Sequence, residues 1–184
     1  MKLNRITITT VSLFAGLAFA GGYLFIAIPN VEIFTAVVFV AGVLLGARNG
    51  ALVGIIAQTF FSLLNPFGMS LPPLLLAQVL NRALVGYAGG KLRNFSDFSQ
   101  MNWKNCAMLG LTGLVLTWLY DLMAYLSFFF ISGFSMDQMK TTFALGLPFY
   151  LIHGLVNTAI FVLVLPLLIR GLLRIEFLNT ARLS

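Results

Sequence analysis

Groups that carry chemistry are scarce in this chain: five Asp and Glu together, one His and one Cys among 184 residues. Metal centres draw on several converging His, Cys or carboxylate ligands, and an activated nucleophile needs an adjacent base. Neither can be assembled from His153 and Cys106, which fall near opposite membrane faces in the topology derived below. A lone cysteine also excludes a disulfide framework, and Cys106 reads as a small packing residue. HExxH, GxSxG, Walker A, GxGxxG and CxxC are all absent, so an enzyme is the class these residues support least. Without a nucleotide motif the chain does not hydrolyse ATP by itself, and any energised transport needs a motor on another protein. No cofactor is implied.

Charge is equally sparse, at 9% of residues, against 60% hydrophobic and 18 Phe. A soluble domain of this length needs a charged exterior, whereas a lipid solvent does not. The composition is that of an all-α integral membrane protein. No linker or low-complexity tract divides residues 1–184, which read as a single domain.

Spanning ~30 Å of hydrocarbon takes about 20 apolar residues. Six stretches qualify, near 6–28, 33–47, 51–64, 72–92, 103–131 and 148–173, and predict a compact bundle of six transmembrane helices. The second and third are short, with Ala47-Arg48-Asn49-Gly50 as the break between them. Lys2, Arg5, Arg48, Lys91, Arg93, Lys104, Arg170, Arg174 and Arg182 gather at alternate connections, while the outer ones hold only Lys140. Basic residues mark the cytoplasmic side, so both termini are expected in the cytoplasm. The net charge of +6 is then a topology signal and not a nucleic-acid footprint. Lys2, Arg5 and Ala18-Phe19-Ala20 imitate a signal peptide, but the apolar run continues to Pro29 and is expected to be retained as the first span.

Polar residues recur within the apolar stretches at helical spacing. The third has Gln58, Ser62 and Asn65; the fourth Gln78, Asn81 and Arg82; the fifth Trp118, Asp121 and Tyr125; the sixth Tyr150, His153 and Asn157. Intervals of three, four and seven place each set on one helix face. Polar groups in hydrocarbon are costly unless they meet a partner or a wet cavity. Counted from the outer helix ends, Arg82, Asp121 and Asn157 all lie about 15 Å deep, which predicts a polar zone in the outer half of the bundle. Two readings stay open. Arg82 and Asp121 either form a buried ion pair fastening the fourth helix to the fifth or contact a ligand. His153 and the aromatics either pack or line a pocket.

Small residues four apart form a second pattern: Gly16 and Ala20, Ala18 and Gly22, then Gly46, Gly50 and Gly54, and Gly86 with Gly89-Gly90. Such spacing lets helix backbones approach closely. It serves packing within the bundle or the docking of a second membrane protein, and the first helix, which has no polar stripe, suits docking best.

Pro29-Asn30-Val31-Glu32, the run from Gly42 to Gly54, Asn65-Pro66-Phe67-Gly68, the run from Gln78 to Gly86, and Asn157 ahead of Pro166 together resemble the substrate-binding S components of energy-coupling factor (ECF) vitamin transporters. The resemblance covers most of the chain, although the family's alanine-xxx-alanine motif appears in the first helix only as Gly/Ala variants. It implies a multi-pass subunit of a bacterial or archaeal inner membrane that binds a vitamin or its precursor in an outer-half cavity. It also implies partners, a transmembrane coupling protein and two cytoplasmic ATPases, and a toppling motion that releases substrate inward. On this reading Gln58, Asn65, Gln78, Asn81, Arg82, Trp118, Asp121, Tyr125, Tyr150, His153 and Asn157 are substrate-binding candidates, and Gly16, Ala18, Ala20 and Gly22 the docking candidates. An amide- and aromatic-rich lining with few charges suits a bulky, weakly charged compound; a corrinoid is the first expectation, and a metal ion is not. The rival from another class is a membrane scaffold of the rod-shape-determining type, which would satisfy its polar residues internally and leave no roomy cavity.

Overall fold

The computed structural model describes residues 5–28, 30, 32–95, 98, 102–133 and 135–174. Lys2 and Arg182, which contribute to the charge asymmetry, lie outside the described residues, as do Pro29 and Val31 of the resemblance. The described residues are helical, with no strand among them. In chain order the helices are α1 Arg5–Leu24, α2 Ile33–Leu45, α3 Ala47–Leu63, α4 Pro72–Leu92, α5 Trp103–Ser132 and α6 Met136–Ala159. A π-helical segment Ile160–Val164 then joins α6 to α7 Leu165–Leu173, so that 136–173 runs as one rod. Among the described residues three helices are long and apolar enough to cross a membrane: Thr7–Leu24 within α1, Trp103–Ser132, and Met136–Leu173.

α2 is the centre of the bundle. Thr35 apart, its residues are apolar on every side, the mark of a helix packed all round, and Phe34 through Leu45 are all buried. At 13 residues it is about 20 Å long, too short to cross hydrocarbon alone, and α1, α3, α4 and α7 enclose it. α5 packs on α4, and α6 packs on α5.

Glycine sets the tightest contacts. A Cβ added to Gly42 would lie 2.0 Å from the Gly86 carbonyl oxygen, and one on Gly86 would lie 2.0 Å from that of Gly50. Gly54 abuts the Arg82 carbonyl and Gly90 the Ala47 backbone in the same way. The small residues of α2, α3 and α4 therefore fill internal contacts, which removes them from the expected docking surface. The break between α2 and α3 also moves. It is the single residue Gly46, with φ +88°, a backbone that L side chains rarely adopt, and Asn49 Nδ2 donates to the Leu45 carbonyl across it at 3.1 Å.

The largest departure from the expected spans is the start of the last one. Residues 132–147, read as a connection, belong mostly to α6, and Pro148 lies inside that helix. Proline deprives only the Ala144 carbonyl of its intrahelical donor, a loss a long helix tolerates. The polar opening Met136-Asp137-Gln138-Met139-Lys140 concealed these turns, and Lys140 is helical. Further along, the π segment falls directly before Pro166, whose missing N–H permits the wider turn.

Candidate functional site

One polar network ties α2, α3, α4, α5 and α6 together. At its centre is Arg82, buried on α4. Its Nε donates to Gln58 Oε1 at 3.1 Å, Nη1 to Thr35 Oγ1 at 2.6 Å and Nη2 to Glu32 Oε2 at 2.8 Å. The guanidinium also lies 5.2 Å from the Phe34 ring centroid and 4.7 Å from that of Tyr120. Each of the three guanidinium nitrogens thus donates one hydrogen bond, the kind of partnering a buried cation requires.

The network extends in two directions. On the α3 side Gln58 Nε2 donates to Ser62 Oγ at 2.8 Å, and Ser62 Oγ to Gln78 Oε1 at 2.7 Å. Gln78 also accepts from Ser70 at 2.9 Å, while its Nε2 lies 3.4 Å from the Tyr120 hydroxyl. On the α6 side Glu32 Oε1 lies 3.6 Å from His153 Nε2, and His153 Nδ1 lies 2.8 Å from Asp121 Oδ1. Thr35 Oγ1 completes the centre by donating to Glu32 Oε2. Burial alone would raise the Glu32 carboxyl; the Arg82 charge, with the His153 ring close by and the Thr35 hydrogen bond, holds it below the ordinary carboxylate range.

This arrangement corrects one of the two readings of Arg82. Its salt-bridge partner is Glu32, in the connection before α2, and not Asp121. Asp121 is paired with His153 instead. Helical periodicity relates residues within a helix, and nothing in it reports which loop carboxylate reaches a buried cation.

A chamber of about 240 Å³ opens beside the network. Glu32, Gln58, Gln78, Arg82, Tyr120 and His153 supply its polar wall, and Phe25, Phe34, Phe61 and Phe149 its aromatic wall. Asn30 joins the lining, with φ +65° and a buried Oδ1 that has no hydrogen-bond partner. Ser62 and Ser70 reach the polar wall through Gln78.

The candidates divide among several places. Gln58, Gln78, Arg82 and His153 line the chamber. Trp118, Asp121, Tyr125 and Tyr150 line a separate groove of about 310 Å³ between α5 and α6, together with Leu122, Phe143, Leu147 and Leu151. There Trp118 Nε1 donates to the Tyr150 carbonyl at 3.3 Å, and the Tyr125 hydroxyl to that of Met139 at 2.7 Å. Asn81 and Asn157 are buried outside the chamber lining, donating to the Leu116 carbonyl at 3.3 Å and to Thr117 Oγ1 at 3.1 Å. Asn65 shapes the turn after α3 by accepting from the Phe67 amide. Glu32, Thr35 and Tyr120 are the participants that periodicity did not select. Tyr120 is adjacent to Asp121, so the spacing 118, 121, 125 gave the face toward α6 and passed over the residue facing α4. Among the described residues no cluster of His, Cys, Asp and Glu could hold a metal ion.

The α1 candidates also divide. Ala18 is fully buried, and a Cβ on Gly22 would meet Phe34 and Phe61, so both face inward. Gly16 and Ala20 face outward. Gly16 lines a groove of about 370 Å³ with Ser12, Ala15 and Phe19 of α1 and Ile56, Ala57, Phe60 and Leu64 of the α3 side.

Comparison with known proteins gives one match. The family model "ECF transporter, substrate-specific component" matches residues 6–169. No curated protein and no solved structure matches the chain.

Proposed function

Because the chain belongs to the substrate-specific components of ECF transporters, we propose that it captures a vitamin-like compound in the chamber between α2, α3, α4, α5 and α6. It then delivers the compound inward together with a transmembrane coupling protein and two cytoplasmic ATPases. The observation that carries this reading is the coexistence of a charged, hydrogen-bonded wall and an aromatic wall around open space. Aromatic faces hold a ring system, while amide and charged groups fix its orientation. A scaffold would satisfy Arg82, Asp121, His153 and Asn157 among themselves; here Arg82 is held by Glu32, Thr35 and Gln58, Asp121 Oδ2 and Asn157 Oδ1 are buried without a partner, and a chamber lies beside the network that a scaffold has no use for.

The chamber's volume bears on the substrate. About 240 Å³ lies below the usual span of ligand pockets, roughly 300 to 1,000 Å³. A compact vitamin of one or two rings fits this scale better than the corrinoid first expected, which would require the outer connections to open widely. For docking, the α1–α3 groove replaces the broader small-residue surface, since Gly16 presents no side chain there and leaves room for a partner helix. Six spans, with the α2–α3, α4–α5 and C-terminal connections in the cytoplasm, agree with the placement of Arg48, Lys91, Arg93, Lys104, Arg170 and Arg174.

Native mass spectrometry of the detergent-purified protein tests the proposal. A retained small molecule, lost on Gln78→Ala or His153→Ala, supports it. A protein that stays empty after growth in rich medium, and takes up no vitamin from a panel, contradicts it.

A further inference from the structure

Arg82 and His153 are the basic side chains lining the chamber among the described residues, and each guanidinium nitrogen of Arg82 already donates one hydrogen bond. A ligand that takes over one of these bonds must replace a present partner. Gln58 and Thr35 are almost wholly buried on α3 and α2, within helices that cannot shift without disturbing the glycine contacts. Glu32 differs. It stands ahead of α2, and its side chain is 23% exposed against 5% for that of Arg82. It is the one partner of Arg82 that can leave by rotating its own side chain toward water.

Its two oxygens divide the task. Oε2 takes the Arg82 Nη2 hydrogen bond at 2.8 Å, and Oε1 faces His153 Nε2 at 3.6 Å. A carboxylate bridging a guanidinium and an imidazole, with aromatic rings beside it, is how a protein holds an aromatic or ring-bearing acid. We infer that Glu32 occupies the position of a substrate carboxylate: the substrate is an anionic, ring-bearing carboxylic acid that displaces Glu32 from Arg82 and His153. The inference rests on the chamber being the substrate site and deepens that reading by naming the charge of the ligand.

The physical logic is charge conservation within the cavity. Empty, the chamber keeps Arg82 neutralised by Glu32, which avoids leaving a buried cation unpaired. An incoming carboxylate restores the same neutralisation, and Glu32 regains water. A neutral compound of the same shape gains nothing from Arg82, because it cannot match the carboxylate it would displace. Glu32 therefore selects for anions while weakening all of them, as an internal competitor does.

The test uses the full chain in lipid nanodiscs and two probes of one shape, 4-fluorobenzoate and 4-fluorobenzamide, followed by fluorine NMR titration. Glu32→Gln removes the competing charge and retains the side-chain volume. It should bind the benzoate about tenfold more tightly than the unaltered protein does, with the amide affinity unchanged. Glu32→Asp keeps the charge but shortens the reach, and should give a smaller gain in the same direction; it serves where Glu32→Gln does not fold. Equal gains for both probes would show that Glu32 does not select by charge, and weaker benzoate binding in both variants that it holds the ligand instead of standing in for it; either would overturn this inference alone. Absence of binding by either probe to any of the three proteins would overturn the inference together with the chamber reading.

Discussion

Replacing Arg82 by Ala removes one side chain and strands three others. Glu32 loses its counter-ion, Thr35 Oγ1 a donor at 2.6 Å and Gln58 Oε1 a donor at 3.1 Å. Breaking one side of a buried pair costs about 3–5 kcal/mol. The loss falls toward the lower end here because water can reach the 23%-exposed Glu32 side chain. Glu32→Ala should cost slightly less, roughly 2–3 kcal/mol, since Arg82 keeps two hydrogen bonds and two aromatic faces. In the double variant no charge is left unpaired, so the losses should not add; a coupling energy of about 2 kcal/mol is expected. The same cycle run on Arg82 and Asp121 should give less than about 1 kcal/mol, because these residues connect only through Glu32 and His153. Unfolding in mixed detergent and SDS, followed by Trp fluorescence and verified as two-state, measures all four corners. A larger coupling for Arg82 with Asp121 than for Arg82 with Glu32 would refute the assignment of partners.

Three further outcomes are expected. Gly86→Ala must displace the Gly50 carbonyl, 2.0 Å from the new methyl group, and should destabilise by roughly 1–3 kcal/mol or more. Gly16→Ala meets no atom within 4 Å and should be neutral or stabilising by about 0.5–1 kcal/mol in the same unfolding assay; the reverse order would show that the glycine contacts are misassigned. Gly16→Leu fills the α1–α3 groove and should abolish co-purification with a coupling module while leaving ligand binding in detergent intact; retained co-purification places docking elsewhere. Single cysteines at Met69 and Ser135 should react with an impermeant maleimide in intact cells, and one at Lys104 only after permeabilisation, with labelling of Lys104 from outside overturning the orientation.

How far the amino-acid sequence discloses this structure depends on the range of the interaction. α4 matches its expected span of 72–92, because two prolines mark its first turn and basic residues its end. α5 differs by one residue at its C-terminus. α6 was missed over 12 residues, because its first turns are polar and Pro148 looked like a helix start. Polar stripes singled out Gln58, Gln78, Arg82 and His153, four residues that line the same chamber, since each has a helical neighbour of its own kind. Glu32 and Tyr120 escaped the same reasoning. Glu32 lies in a connection and pairs across 50 positions of sequence, and Tyr120 sits one step out of phase with its neighbours. The glycines illustrate a further limit: spacing reports a flat surface, but only the packed bundle reveals that α2, α3 and α4 consume it.

On the function we propose, this chain binds its substrate alone and accumulates it only with partners. The direct test is uptake into liposomes, using the ligand identified by native mass spectrometry. The protein is reconstituted by itself, or with a coupling protein and its two ATPases, each with and without enclosed ATP. Ligand binding is expected in both preparations, and accumulation above the external concentration only with the complete module and ATP. Accumulation by the chain alone, driven by an ion gradient, would refute the need for an ATPase partner.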